Sequence, residues 1–163
     1  ALSYECVPED EFFCGLEVDE PSMNEFISKR GRVYMDLGEP VPVSRHIKAE
    51  EPALSLAYQI TSAWQKSHRI LPNQLVSRIL VDHGYGMDES LLRNYIDEYL
   101  TGHPGNYLID RTDDILTEGM KVLEKRQIVI KKMRHVIGLK PELLTYYGNM
   151  VPSGSSPMMS DPG

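Results

Sequence analysis

Apolar positions over residues 32–37 recur every second place, and those beyond residue 52 recur at helical spacing. Residues 1–7 carry strand propensity and stop at Pro8. Arg32 to Leu37 alternates, with Val33, Met35 and Leu37 on one side and Arg32, Tyr34 and Asp36 on the other. A period of two predicts a half-buried strand. Gly38-Glu39-Pro40 ends it, because proline cannot continue a central ladder. Between the two strands, residues 8–31 are acidic and irregular, with a short apolar patch at Phe12, Phe13 and Leu16.

From residue 52 the spacing predicts helices. Leu54, Ala57, Tyr58, Thr61 and Trp64 fall on one face of a helix ending near His68, a face expected to join the core with Trp64 in it. Pro72 suits the first turn of the next helix, whose stripe is Leu75, Val76, Ile79 and Leu80 and whose stop is Gly84. Asp88 is an N-cap for a helix with Leu91, Leu92, Tyr95, Ile96, Tyr99 and Leu100 on its apolar face. Gly102-His103-Pro104-Gly105 breaks it. Thr112 is expected to cap a further helix with the stripe Ile115, Leu116, Met120 and Leu123. Residues 128–139 suit a small β-hairpin, and Pro141 opens a last helix through Leu143, Leu144, Tyr146 and Tyr147. Residues 151–163 are Pro, Gly, Ser and Met, with no core to join, and read as a disordered tail. The fold class is therefore α+β, a mostly helical C-terminal module with a small hairpin, preceded by two strands. Two strands alone make a poor sheet, so they read as part of a larger one, and the chain reads as continuing upstream of Ala1.

The chain of 163 residues is long enough for a core without metals or disulfides. Its net charge of -7 argues against a general polyanion binder. Two cysteines, Cys6 and Cys14, are too few for a disulfide scaffold and read as reduced, partly buried thiols, which points modestly to a reducing compartment. No apolar run reaches the ~18–20 residues that span a bilayer, and residues 1–6 lack the basic and apolar regions of a signal peptide.

Candidate chemistry is sparse. There is no metal-ligand cluster, Gly-rich phosphate loop or nucleophile elbow, and the five histidines are scattered. His83-Gly84-Tyr85-Gly86-Met87-Asp88 has a His and an Asp five apart but reads as a helix–helix turn, because two glycines and an N-capping Asp make a poor platform for a base. Lys125, Arg126, Lys131, Lys132, Arg134 and His135 form the local basic concentration. Either they are a solvated hairpin face, or Lys131, Lys132 and Arg134 contact anionic lipid headgroups.

Three segments carry a resemblance. Ala1-Leu2-Ser3-Tyr4-Glu5-Cys6-Val7-Pro8-Glu9 resembles the fourth conserved block of the glycerol-3-phosphate and dihydroxyacetone-phosphate acyltransferases, which ends in a strand reading roughly I-S-Y-E. Residues 31–43, through Gly38-Glu39-Pro40, are similar to the family strand that runs into G-E-P. Leu143-Leu144-Thr145-Tyr146-Tyr147-Gly148-Asn149-Met150 resembles the family's C-terminal T-Y-Y-x-N helix. Their order and separation carry the likeness, which spans all but the tail.

The resemblance implies transfer of a fatty acyl group from an acyl-CoA or acyl carrier protein thioester to the 1-hydroxyl of glycerol 3-phosphate or dihydroxyacetone phosphate, with no other cofactor. It implies that residues 1–50 end an α/β acyltransferase domain, that residues 51–150 are a helical module, and that the two strands are the remnant of the domain's sheet. The H-x-x-x-x-D base pair, an arginine-bearing block and an E-G-x-x-S phosphate block would precede Ala1. This chain would then hold no catalytic residue, would be inactive by itself, and would have the N-terminal catalytic part as its partner. Ser3, Tyr4 and Glu5 are the expected substrate contacts, and the protein would be peripherally membrane-associated.

A rival comes from element order. Helices near 74–83, 88–100 and 112–127 followed by a hairpin have the order of a winged helix. The third carries Asp113, Asp114, Glu118 and Glu124, which would repel phosphates. A protein-interaction or regulatory module without nucleic acid is the reading that remains.

Overall fold

The computed structural model describes residues 1–7, 9–16, 31–45, 47 and 49–151. Among them are six α-helices and two small antiparallel sheets, an α+β fold. In chain order the elements are β1 (Leu2–Tyr4), α1 (Asp10–Phe13), β2 (Val33–Met35), a 3-10 turn (Val43–Arg45), α2 (Pro52–Ser67), α3 (Pro72–Asp82), β3 (Gly86–Asp88), α4 (Glu89–Gly102), α5 (Thr112–Lys125), β4 (Val129–Lys132), β5 (His135–Gly138) and α6 (Pro141–Gly148).

The core belongs to the second half. α3 is its axis, packed most heavily on α6 and α5 and also on α4. The stripe Leu75, Val76, Ile79 and Leu80 is buried, as its helical spacing requires. It meets Leu92 and Ile96 of α4, Ile115, Leu116, Met120 and Leu123 of α5, and Leu143, Leu144 and Tyr147 of α6 in one cluster. α3 starts at a proline, whose missing N–H costs nothing there, and the chain leaves it through Gly84 at φ +82°. α5 crosses α3 at Gly119, where a Cβ would stand 2.8 Å from the carbonyl oxygen of Pro72 and 2.8 Å from Val76 Cγ2. Only a residue with no side chain permits that approach.

The hairpin expected over 128–139 forms, and a third strand joins it. β3 pairs antiparallel with β5 in the register Met87↔Val136, giving the strand order β3-β5-β4. The segment read as a helix–helix turn is thus a turn only as far as Tyr85; Gly86–Asp88 is strand, with Met87 buried. Three residues are too short a run to show an alternation in sequence. Asp88 then caps α4 as expected, its carboxylate accepting from Ser90 N at 2.9 Å. α5 departs from expectation at its start. Arg111 is its N-cap, and Thr112 lies inside the helix with its hydroxyl donating to Asp97 Oδ1.

β1 and β2 pair in the register Ser3↔Tyr34, with Leu2↔Met35 and Tyr4↔Val33 on the opposite face. The expected strand forms, but its polarity is reversed. Met35 is 72% and Leu37 91% exposed, whereas Tyr34 and Asp36 turn inward to polar partners. The inward neighbours are charged and hydroxylated groups, so the polar side is the one that finds compensation there. α2 differs in the same way. It forms over the expected range, yet it buries no residue, and Leu54, Tyr58 and Trp64 are exposed, Trp64 at 52%. Trp64 is therefore not core. Val151, read as the start of the tail, is buried against the cluster. Residues 152–163, the rest of the expected tail, lie outside the described residues, as do residues 17–30 of the acidic segment.

Candidate functional site

The polar side of α3 forms the floor of the site. Asn73, Gln74 and Ser77 would face water on an ordinary surface helix, but all three are buried. Two of them grip the backbone of β1 and the residue after it. Asn73 Nδ2 donates to the Glu5 carbonyl at 2.8 Å, and Gln74 Nε2 donates to the Tyr4 carbonyl at 3.3 Å. Gln74 Oε1 also accepts from Leu71 N at 3.1 Å, satisfying one of the amides left free near the start of α3. Just before the helix, Arg69 N donates to Ser3 Oγ at 3.1 Å. A three-residue strand is held here by side-chain amides rather than by a broad sheet.

These bonds place the three expected substrate contacts differently. Ser3 is buried, with its hydroxyl turned to Arg69. Glu5 is buried too. Its carboxylate accepts from Arg32 N at 2.9 Å, from Arg32 Nε at 2.7 Å and from the Tyr34 hydroxyl at 3.4 Å. Tyr4, half-buried, stands on the rim of a groove of about 1420 Å³, while Glu5, its carboxylate engaged, borders a second cleft of about 700 Å³ with Arg32 and Tyr34. The larger groove runs between α2, the loop after α4, α3 and the end of α6, and Trp64, His68, Gln74, Tyr107 and Met150 also line it. His68 is 7% exposed. Burial lowers its pKa, favouring the neutral imidazole, although the Met150 backbone pulls the other way.

Beside the floor lies a buried ionic seam. Asp10 on α1 has no exposure and is bonded by both guanidinium nitrogens of Arg126, Nη2 to Oδ1 at 2.7 Å and Nη1 to Oδ2. The Tyr147 hydroxyl of α6 donates to Asp10 and accepts from Arg126 Nη1 at 2.8 Å and from Val7 N at 3.1 Å. Burial works against the Arg126 charge, but the bond to Asp10 and the surrounding oxygens more than offset it, so the guanidinium stays charged. Burial, reinforced by Asp10 against the opposing Arg126, pushes the Tyr147 hydroxyl far above its ordinary pKa and keeps it a donor. The Cys6 thiol is likewise raised by burial, with Arg126 opposing, and both cysteines are free. The chemistry on offer is structural: every polar partner in the seam is consumed by another.

The remaining candidates fall elsewhere. Asp88 is engaged by Ser90 and lies 3.9 Å from His135 Nδ1, and His83 stacks on Tyr95 at 3.9 Å between ring centroids. No hydrogen bond joins His83 to Asp88 among the described residues. Of the basic group, Arg126 is buried in the seam, and Lys131 lies on the core side of the hairpin in an ion pair with Glu89. Lys132 and Arg134 are exposed at the hairpin end. Among the described residues no His, Cys, Asp and Glu side chains converge on a metal-sized cluster, and no helix is long and apolar enough to cross a membrane.

Sequence reasoning missed Asp10, His68 and the role of Arg126. No periodicity marks them: Asp10 sits in an acidic segment and Arg126 in a basic one, so each has the look of a solvated charge. Comparisons with protein-family models, curated proteins and solved structures found no match to this chain.

Proposed function

We propose that the chain is the C-terminal portion of a glycerol-phosphate O-acyltransferase acting in phospholipid synthesis. The complete enzyme transfers a fatty acyl group from an acyl-CoA or acyl carrier protein thioester to the 1-hydroxyl of glycerol 3-phosphate. The observation that carries this reading is convergence. The three segments that resemble the family are up to 140 residues apart along the chain, yet they meet at one seam. Glu5 of the first accepts from Arg32 of the second, and Tyr147 of the third bonds Val7 and Asp10 beside the first. Met150 closes the ring, because its sulfur and the Tyr4 carbonyl share the Gln74 amide. Segments that a family keeps for one domain are expected to be neighbours in space.

In this reading the helical module clamps the strand that ends the catalytic domain, and Tyr4, on the rim of the larger groove, reaches a substrate. The His and Asp that deprotonate the acceptor hydroxyl belong to the upstream part of the enzyme, where a fixed imidazole within hydrogen-bond reach of the hydroxyl does the work. The test is acyl transfer to glycerol 3-phosphate, measured with palmitoyl-CoA and with palmitoyl acyl carrier protein. We expect none from the isolated chain and transfer from the protein carrying the upstream coding sequence. Changing Tyr4→Ala in that longer protein is expected to raise the acceptor KM. Transfer by the isolated chain, or none from the longer protein, overturns the proposal.

A second reading draws on the strand pairing β3-β5-β4 around α3, α4 and α5, which has the element order of a winged helix. In it the module is a protein-interaction or regulatory unit with no catalysis. Copurification with a separate acyltransferase subunit would favour it.

A further inference from the structure

The end of the hairpin is built against its own stability. Lys132 pairs with His135, so only Met133 and Arg134 form the loop. Met133 takes φ +55°, a left-handed conformation that two-residue hairpin loops ordinarily give to Gly, Asn or Asp. Its side chain is 97% exposed. A methionine there strains the backbone and hides nothing from water, and a strained residue that packing does not explain points to a use outside the fold.

The register shows what surrounds it. Ile130 is opposite Ile137, and Lys132 is opposite His135, so these four share the face turned away from the core. Both isoleucines are exposed. Val129, Lys131 and Val136 hold the other face, where Lys131 is neutralised by Glu89. The loop therefore presents an apolar point, Met133, between two exposed cations, Lys132 and Arg134, with Ile130 and Ile137 behind it. The carboxylates nearby, Asp88 and Glu89, stand at the same end of the hairpin, Asp88 opposite His135 and Glu89 with its N–H on the Arg134 carbonyl, and their side chains are engaged by Ser90 and Lys131. An apolar tip flanked by cations complements a surface that is apolar inside and anionic outside, a local match that the net charge of -7 does not supply.

We propose that the β4–β5 hairpin docks on an anionic lipid bilayer, with Met133 entering the headgroup–acyl boundary and Lys132 and Arg134 on lipid phosphates and carboxylates. The same hairpin in a winged helix would meet nucleic acid, but α5 beside it carries Asp113, Asp114, Glu118 and Glu124. This docking does not depend on the acyltransferase reading, since binding is read without any transfer.

The experiment is cosedimentation of the full chain with vesicles of phosphatidylcholine alone and with about one third phosphatidylglycerol. We expect binding only to the anionic vesicles, falling with salt. Each surface cation near an anionic bilayer is worth about fivefold, so Lys132→Gln with Arg134→Gln should weaken binding about 30-fold. Lys131→Gln, on the inner face, should change it less than twofold. Met133→Asn should weaken binding about tenfold while raising thermal stability, because asparagine accepts the left-handed conformation; no misfolding can mimic that pair of results. Equal binding to neutral vesicles, unchanged binding in the Lys132/Arg134 and Met133 variants, or binding to a DNA duplex with none to vesicles would each overturn the proposal.

Discussion

Arg126 is the residue on which two halves of the molecule meet. It leaves the end of α5, turns inward, and ties Asp10 of α1 to Tyr147 of α6. A guanidinium suits this position because its fork reaches both oxygens of one carboxylate and still spares a hydrogen for the phenol. Removing one member of a buried pair strands the other charge, which costs ~3–5 kcal/mol. Arg126→Met is expected to lose that much in urea unfolding, whereas Arg126→Met with Asp10→Leu should recover a large part of it. A loss in the double variant equal to the sum of the losses in Arg126→Met and Asp10→Leu alone would show that the pair is not coupled. The same logic explains why Glu5 is buried and fully engaged by Arg32.

Among elements, α3 determines where everything else goes. Its apolar side gathers α4, α5 and α6, and its amide-bearing side holds β1. Both sides are buried, which makes it a central helix despite an amphipathic sequence. Its closest crossing is with α5 at Gly119. A side chain there must push α5 away from Pro72 and Val76, and overpacking of this kind costs ~1–3 kcal/mol. Gly119→Val should lower the melting temperature and loosen β1, seen as faster hydrogen exchange at the Glu5 and Arg69 amides. Unaltered stability would mean that the helices can separate without cost.

For the whole molecule, the notable fact is where apolar surface is left uncovered. The outer face of the β1–β2 pair and the outer side of α2 carry Leu2, Val33, Met35, Leu54, Tyr58 and Trp64 exposed. Scattered exposure is ordinary, but a whole sheet face or helix face left apolar is of the kind used for contact with another domain or protein. In the acyltransferase reading the rest of the catalytic sheet covers it. Because these side chains bury little within the chain, Met35→Lys and Leu54→Lys should change folding stability by no more than ~0.5 kcal/mol. A core-sized loss of stability would show that the surface is already covered.

Periodicity alone determined the helices of the second half, most of their buried stripes and the hairpin, because repeats at helical or strand spacing act within one element and need no knowledge of its neighbours; Leu91, read into the stripe of α4, is 48% exposed. The Asp88 cap was legible for the same reason. Which side of β2 faces inward, whether α2 is buried, and that Asp10 and Arg126 are partners were decided only by tertiary structure. A solvated charge and a paired one look alike along the chain, and an apolar stripe shows that a face can be covered without showing what covers it. Ser3 and Glu5 were legible as residues of one extended segment, but their consumption by Arg69 and Arg32 depends on segments that folding brings together from up to 66 residues away.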